Sequence, residues 1–379
     1  MSSPTALELK ARIFGLGMVN PNLRYKKCFI EDIPFAITKS NKILCIPKTD
    51  EIKHIGISGA TGTCKSITMN ALLSWDYWFV KNDCIILNDI QKETFEWSIP
   101  TDFYTLEMKK INIVPCPTPI VYVFPSTKTL QIDEKKDKRF PLIKMTLPIK
   151  EVIRNIEDYY ALDKSKVYLG NLSELLEDCN SMSDIEEVLN ENIPKEHEMM
   201  KYKLKNIFES LFKSAILNVA VPEAPAYLDY KDKHNNVYYN MTIQTLMRAG
   251  LVPSIQTWDL RNHDFFSAFM SFIVDAIHRN QYEDVYFKKR TVSIFCDEID
   301  KLWKGDSGEL VKKQIGLIGT NGRVARIGLR WSTQSYNSVP ETIRGNTKYL
   351  IVSRKNDSKE VNEIRKDFDM PRSMDDDIL

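Results

Sequence analysis

Residues 59–66, GATGTCKS, are the sequence feature that most restricts how this chain can fold. They follow an apolar run, HIGIS, and precede SITMNALLSWDYWFV, whose apolar positions recur at helical spacing. A glycine-rich turn between a strand and a helix is the context that a phosphate-binding loop requires. In such a loop, successive backbone N–H groups point at an anion at the N-terminus of the helix. The segment therefore predicts a nucleotide-phosphate site at the edge of a sheet.

The residues of this loop have separate predicted tasks. Lys65 would neutralise charge on the β- and γ-phosphates, and the Ser66 hydroxyl would ligate Mg²⁺. The residues predicted to bind nucleotide form one continuous run: Gly59, Ala60, Thr61, Gly62, Thr63, Cys64, Lys65, Ser66 and Ile67.

Cys64 departs from the pattern G-x-x-x-x-G-K-[ST], which has glycine at this position. A Cβ there can obstruct the approach of a phosphate, although the backbone N–H is retained. Three interpretations stay open: a tolerated variant, a weakened or inactive site, and a thiol sensor at a helix N-terminus, where thiolates are favoured.

Two later segments supply polar groups suited to hydrolysis. The apolar run IFC ends in Asp297 and Glu298. At a strand end beside the phosphates, Asp297 would hold Mg²⁺ through a water and Glu298 would orient and deprotonate the attacking water. Gln334 ends another apolar run, LRWST. Its neutral amide can accept from that water and donate to the γ-phosphate, which suits a sensor.

The order of the elements predicts the fold class. Unbroken apolar runs that alternate with helix-like segments favour a parallel sheet covered on both faces. We therefore predict an α/β P-loop NTPase with a RecA-like, mainly parallel sheet of the additional-strand, catalytic-glutamate type. This core would comprise residues 51–100 and 245–379. Residues 1–50 would form an N-terminal arm or small cover, and residues 101–244 a mainly helical insertion.

Composition limits the partners and the compartment. The net charge is +1, so any surface that binds nucleic acid must be local, with 288–290 and 312–313 as basic candidates. Seven cysteines, an odd number without paired spacing, favour reduced thiols. We find no signal-peptide core and no run of 18 apolar residues. These features predict a cytoplasmic protein without direct membrane insertion.

Taken together, these motifs resemble those of the HerA/FtsK superfamily of P-loop ATPases. HIGISGATGTCKS resembles the phosphate-loop strand of that superfamily, and CDEIDKLW its acidic strand. GTNGRVARIGLRWSTQS and VPETIRGNTKYLIVSR resemble the following helix, sensor strand and final strand. The resemblance covers roughly 50–100 and 240–356.

This resemblance implies a homohexameric ring that hydrolyses ATP with Mg²⁺ between subunits and pulls double-stranded DNA through its channel. It implies partners such as a nuclease, a relaxase, or a capsid or secretion component. In such rings an arginine of the neighbouring subunit enters the ATP site. Arg323, Arg344 and Arg354 are the candidates, and the last two match the C-terminal pattern best. The implied catalytic set is Lys65, Glu298, Gln334, Arg344 and Arg354.

Two other functions remain open at the level of the sequence. Asp-Glu-Ile-Asp at 297–300 also suits an AAA+-like protein remodeller. If Cys64 weakens hydrolysis, the chain would instead be a nucleotide-gated scaffold or DNA clamp.

Overall fold

The structure is a computed structural model that describes most of the predicted core and parts of the remaining chain. The described residues are 32–37, 43–47, 52–63, 65–89, 97, 118–125, 142–145, 147–148, 172, 175–176, 179, 182–213, 217–218, 230–231, 237–240, 243–256, 274, 277–278, 281–282, 287–303, 308–355 and 357–370. The strands are β1 (Asp32–Ile37), β2 (Ile43–Pro47), β3 (His54–Ser58), β4 (Asp83–Asp89), β5 (Ile120–Pro125), β6 (Leu142–Met145), β7 (Leu147–Pro148), β8 (Leu217–Asn218), β9 (Tyr230–Lys231), β10 (Val237–Asn240), β11 (Val252–Gln256), β12 (Val292–Cys296), β13 (Ile327–Thr333) and β14 (Thr347–Val352).

The α-helices are α1 (Lys65–Trp75), α2 (Met182–Asn192), α3 (Glu198–Lys213), α4 (Ile243–Arg248), α5 (Gly308–Ala325), α6 (Glu341–Arg344) and α7 (Ser358–Asp367). A π-helical segment, Asp76–Val80, continues α1. Short 3₁₀ turns occupy Lys195–His197, Phe287–Lys289, Ile299–Lys301 and Tyr336–Ser338.

One large sheet organises the described chain. Its strand order is β14-β3-β13-β12-β4-β11-β5-β6-β10-β9. Neighbouring strands pair in parallel from β14 to β10, and the last pair, β10 with β9, is antiparallel. Strand β13 lies between the phosphate-loop strand β3 and the acidic strand β12. This inserted strand is the feature that gives the additional-strand class its name, so the predicted fold class is confirmed.

Three neighbouring strands of the sheet are buried on both faces, as unbroken apolar strands require. All residues of β3, β12 and β13 are buried. Because side chains alternate along a strand, Cys84 and Ile86 join a cluster with helix α1, while Ile85 and Leu87 join a cluster with helix α5. The two helices therefore cover opposite faces, and α1 brings the phosphate loop to the carboxyl ends of the strands.

Two adjacent central strands approach each other very closely at one point. Gly56 of β3 pairs with Trp331 of β13. A Cβ built on Gly56 would lie 2.3 Å from Cζ2 of Trp331, a fully buried ring whose Nε1 donates to Thr347 Oγ1 at 3.1 Å. Glycine is therefore required beneath the indole ring.

Buried polar groups connect the core strands to the phosphate-loop helix. Arg330 of β13 is 1% exposed, and its Nε donates to Asp76 Oδ2 at 2.9 Å, just past the end of α1. Its Nη1 also donates to the backbone oxygen of Lys53 at 2.6 Å. His54 Nδ1 accepts from the backbone N–H of Leu329 at 2.9 Å. Burial lowers the pKa of His54 to about 4, so the ring is neutral near pH 7.

The region 101–244 differs from the sequence expectation. It contains helices α2 and α3, but it also contributes β5, β6, β9 and β10 to the main sheet. The expectation of a mainly helical insertion did not include these strands. Pro119 precedes β5 and Pro125 is its last residue, which gives this run the appearance of a loop, although proline is tolerated at strand ends. The division of the chain into domains stays a prediction.

At the N-terminal side, β1 and β2 form an antiparallel pair within the predicted arm. Residues 265–280, FFSAFMSFIVDAIHRN, have apolar positions at helical spacing, and most of them lie outside the described residues. Among the helices that are described, none has the length and apolar character needed to cross a membrane.

Candidate nucleotide-binding and hydrolysis site

The phosphate loop is held between the ends of two strands. The backbone N–H of Gly59 donates to the Thr333 oxygen at 3.3 Å, and that of Ala60 to the Arg354 oxygen at 3.1 Å. Gly62 has φ +78°, and open space surrounds the position of a Cβ there. Glycine adopts this left-handed backbone without the steric cost that other residues incur. The loop is thus anchored at its start and turns tightly at Gly62.

Lys65 is buried under the loop. Its Nζ donates to the backbone oxygens of Gly59 at 3.0 Å and Ala60 at 2.9 Å, and the residue is 8% exposed. The Thr63 hydroxyl donates to the same Ala60 oxygen at 2.7 Å. These contacts place the ammonium against the loop, where a bound phosphate would compete for it. Cys64 lies outside the described residues. The effect of a cysteine in place of glycine therefore stays a prediction from the sequence.

Ser66 and Asp297 meet, as the sequence predicts for a Mg²⁺ site. Ser66 Oγ donates to Asp297 Oδ2 at 3.0 Å. A hydroxyl and a carboxylate side by side are hard oxygen ligands of the kind that Mg²⁺ binds, so the residues present fit this ion. In the described part of the chain there is no group of three or more His, Cys, Asp or Glu that could hold a metal. Waters and phosphates would therefore have to supply the remaining ligands.

Glu298 has an unusual backbone conformation. It has φ 48° and ψ 57°, the left-handed region that L-residues rarely occupy. Its N–H donates to Ser332 Oγ at 2.9 Å, and the Ser332 hydroxyl in turn donates to the Asp297 carboxylate. Strand β12 ends at Cys296, and this turn directs the two consecutive acids to different partners. Residues in sparsely populated conformations of this kind cluster at functional sites.

The Glu298 carboxylate contacts two side chains. Gln334 Nε2 donates to Oε1, and Lys301 forms an ion pair with Oε2. The other end of the Gln334 amide, Oε1, accepts from Thr61 Oγ1 at 3.0 Å. The predicted sensor therefore connects the phosphate loop directly to the predicted general base. These contacts bring together side chains from β12, β13 and the loop after β3.

The three candidate arginines are placed differently. Arg344 Nη1 lies 3.2 Å from Asp367 Oδ2, and its guanidinium lies 5.0 Å from the centre of the Tyr336 ring. It is therefore engaged with α7 of the same chain rather than with the phosphate loop. Arg323 and Arg354 are exposed. Ile67, the last residue of the predicted nucleotide-binding run, is exposed on the first turn of α1.

Two residues of the basic segments 288–290 and 312–313 form ion pairs within the chain. Arg290 binds Asp83 with two contacts, Nε to Oδ2 at 2.6 Å and Nη2 to Oδ1 at 2.8 Å. Lys312 Nζ lies 3.1 Å from Glu309 Oε1 on the same helix. Lys288 and Lys289 are exposed. This bidentate pair engages the guanidinium of Arg290 with Asp83 of the same chain.

Sequence reasoning missed three residues that shape the site. Ser332 bridges the two acids, Lys301 pairs with Glu298, and Lys355 donates to the Gln334 backbone oxygen at 2.8 Å. Ser332 could have been found, because β13 beside β12 in parallel register sets it next to Asp297. Lys301 and Lys355 carry no such signal, since a single lysine after a strand is common.

The cysteine beneath the acids is not a reactive group. Cys296 is fully buried, and burial followed by the nearby Asp297 charge raises the pKa of its thiol. A buried thiol of this kind is a small apolar side chain of the core and not a nucleophile.

The parallel sheet with a phosphate loop after β3 has the fold of an α/β P-loop NTPase. No protein-family model matches the sequence, and no curated protein matches it either. Among solved structures, VirB4 of Thermoanaerobacter pseudethanolicus is similar with a TM-score of 0.51 and 10% identity, over 92% of this chain and 91% of that one. The unbound bacterial conjugative coupling protein TrwB gives 0.51 and 14% identity, over 92% and 78%.

A second form of TrwB is also similar. The plasmid coupling protein TrwB in complex with the non-hydrolysable ATP analogue ADPNP gives a TM-score of 0.50 and 15% identity, over 92% of this chain and 81% of that one. TrwB also occurs in complex with ADP and Mg²⁺. At such identities the likeness concerns the fold.

Proposed function

We propose that this chain is a Mg²⁺-dependent ATPase that couples hydrolysis to the movement of double-stranded DNA. The observation that carries the proposal is the Gln334 amide, which joins Thr61 of the phosphate loop to Glu298. Beside it, Ser66 and Asp297 are 3.0 Å apart. An ATPase needs a phosphate cradle, two oxygen ligands for the ion, a base and a sensor, and the proposal is supported because this cluster offers a candidate for each.

Each residue would act at a stated atom. The ammonium of Lys65 would leave the loop carbonyls for the phosphate oxygens, and Ser66 and Asp297 would hold Mg²⁺. When bound, the ion supplies positive charge that offsets the charge of the phosphates. The Glu298 carboxylate would accept the proton of the attacking water, while the Gln334 amide would orient that water.

Coupling to DNA is the finer part of the proposal. It is supported by the sequence resemblance and by the fold likeness to TrwB, a plasmid coupling protein. We propose a ring of identical subunits that works with a nuclease, a relaxase, or a capsid or secretion component. In the ring, Arg323, Arg344 or Arg354 would enter the neighbouring site. Arg344 would first have to break its ion pair with Asp367 of α7. Arg323 and Arg354 are exposed and lie outside that ion pair.

Steady-state ATP hydrolysis tests the proposal. The wild type, Lys65→Ala and Glu298→Gln proteins are assayed with Mg²⁺, with and without linear duplex DNA. We expect turnover that duplex DNA stimulates several-fold and that both substitutions abolish. Hydrolysis that both variants retain would show that the chemistry lies elsewhere.

Cys64→Gly separates the remaining functions in the same assay. Turnover only after glycine is restored would identify a nucleotide-gated scaffold or clamp. Turnover that is indifferent to DNA but stimulated by an unfolded protein would identify a remodeller. Similar turnover in the wild type and Cys64→Gly proteins makes cysteine a tolerated variant.

A further inference from the structure

A buried lysine lies directly behind the sensor. Lys355, three residues past the end of β14, is 2% exposed. Its Nζ donates to the Gln334 backbone oxygen at 2.8 Å and to Glu360 Oε2 at 2.7 Å. Glu360 belongs to the first turn of α7 and is itself 7% exposed. A buried ammonium is costly unless it is paired and hydrogen-bonded. The two contacts therefore fix the position of the Lys355 ammonium.

The backbone that Lys355 holds carries the bridging side chain. Gln334 follows the last residue of β13, where the ladder with β3 has ended. Its amide nevertheless has to meet Thr61 and Glu298 at once. The contact from Lys355 holds the Gln334 carbonyl, and Lys355 is in turn held by Glu360 of α7.

The same strand end also contacts the phosphate loop. Ser353 N–H donates to the Ser58 oxygen at 2.8 Å, and the Arg354 oxygen accepts from Ala60 N–H. The residues after β14 thus touch the loop through Arg354 and the sensor through Lys355. Helix α7, whose N-terminus is capped by Asp357 accepting from Lys359 N–H at 2.8 Å, holds Lys355 through Glu360.

From this geometry we infer that Lys355 is a positioning residue for the hydrolysis step. It holds the Gln334 backbone so that the amide stays between the phosphate loop and the general base, and Glu360 keeps the lysine in place. The inference rests on the proposed ATPase function. Lys355 itself does not touch nucleotide; it acts through Gln334.

A purely structural role is the competing explanation. Lys355→Met leaves the Glu360 carboxylate buried without its partner, which destabilises any protein whatever the lysine does for catalysis. The double variant Lys355→Met/Glu360→Leu removes both charges and should recover most of the lost thermal stability. It does not restore the hydrogen bond to the Gln334 oxygen. Lys359→Met, a change of an exposed lysine on the same helix, is the matched control.

Kinetics then separate the two explanations. We expect kcat to fall about tenfold or more in both the single and the double variant, because small displacements of a positioning group have large effects on rate. We expect KM for ATP to change less than about twofold, since Lys65 and the loop are untouched. Lys359→Met should match the wild type. Recovery of kcat together with stability in the double variant would overturn the inference.

Hydrogen–deuterium exchange tests the positioning without any need for turnover. Ser335 N–H donates to Thr333 Oγ1 at 3.1 Å and Ser338 N–H to the Ser335 oxygen at 3.2 Å. In the full-length double variant these amides should exchange several-fold faster than in the wild type. Unchanged exchange over 334–338 would refute the role of Lys355, even if the wild type proves inactive. An inactive wild type with faster exchange in the variant would instead refute the proposed function alone.

Discussion

Removing the arginine beneath the phosphate-loop helix should strongly destabilise the protein. Arg330 is 1% exposed and contacts Asp76 and the Lys53 backbone oxygen. Arg330→Met keeps most of the side-chain volume but leaves Asp76, which is 5% exposed, as a buried carboxylate without this partner. Breaking a buried ion pair in this way costs about 3–5 kcal/mol of unfolding free energy.

Urea denaturation followed by circular dichroism and tryptophan fluorescence measures this loss. With an m-value of about 3 kcal/mol/M, the midpoint should fall by roughly 1–2 M. The control is Arg323→Met on the exposed side of α5, where we expect a change within about 0.5 kcal/mol.

A second substitution decides whether the unpaired charge is the cause. In Arg330→Met/Asp76→Leu both charges are gone, and replacing a buried pair by apolar residues is often neutral. The double variant should therefore be more stable than Arg330→Met. If it is equally unstable or worse, the reasoning fails, and the arginine must act mainly through its packing and its bond to the Lys53 oxygen.

Three further predictions concern other buried or exposed positions. The free energy of unfolding should fall by about 3 kcal/mol as the pH is lowered from 6.5 to 4. The reason is that the unfolded chain protonates His54 at its ordinary pKa, whereas the folded chain keeps the ring neutral down to about pH 4. Urea denaturation across this pH range measures the loss, and His54→Gln should make stability nearly independent of pH there. Gly56→Ala should cost about 1–3 kcal/mol in the same assay by forcing a Cβ against Trp331, and a second change, Trp331→Phe, should recover part of it. Mixtures of Arg354→Ala and Glu298→Gln subunits should hydrolyse more ATP than the two variants assayed apart, because one interface then combines an intact base with an intact arginine. Activity that is merely additive would place Arg354 outside the neighbouring site.

The sequence was a good guide where a local pattern determines the structure. The phosphate loop, the acidic strand and the sensor strand are each a short apolar run that ends in polar residues, so their elements could be predicted. Their meeting point could be predicted as well, because the carboxyl ends of parallel strands lie at one edge of a sheet. The contact between Ser66 and Asp297, 231 positions apart, is the outcome.

Other parts of the site depend on tertiary contacts that no local pattern encodes. The pairing of Lys355 with Glu360 arises only because α7 packs behind β14, and exposed lysines and glutamates at the same spacing occur on many helices. The engagement of Arg344 by Asp367 has the same origin. In the region 101–244, runs as short as the 4-residue strand β6 give too little periodicity to be recognised.

The left-handed backbone of Glu298 sets activity against stability at one residue. A non-glycine residue in this conformation costs of order 1 kcal/mol, which glycine avoids. Glu298→Gly should therefore abolish hydrolysis, and the backbone cost that it removes should offset the lost contacts to Gln334 and Lys301, so that stability stays within about 1 kcal/mol of the wild type. In a lineage that no longer needed turnover, we therefore expect position 298 to drift towards glycine or asparagine, which adopt this backbone at lower cost.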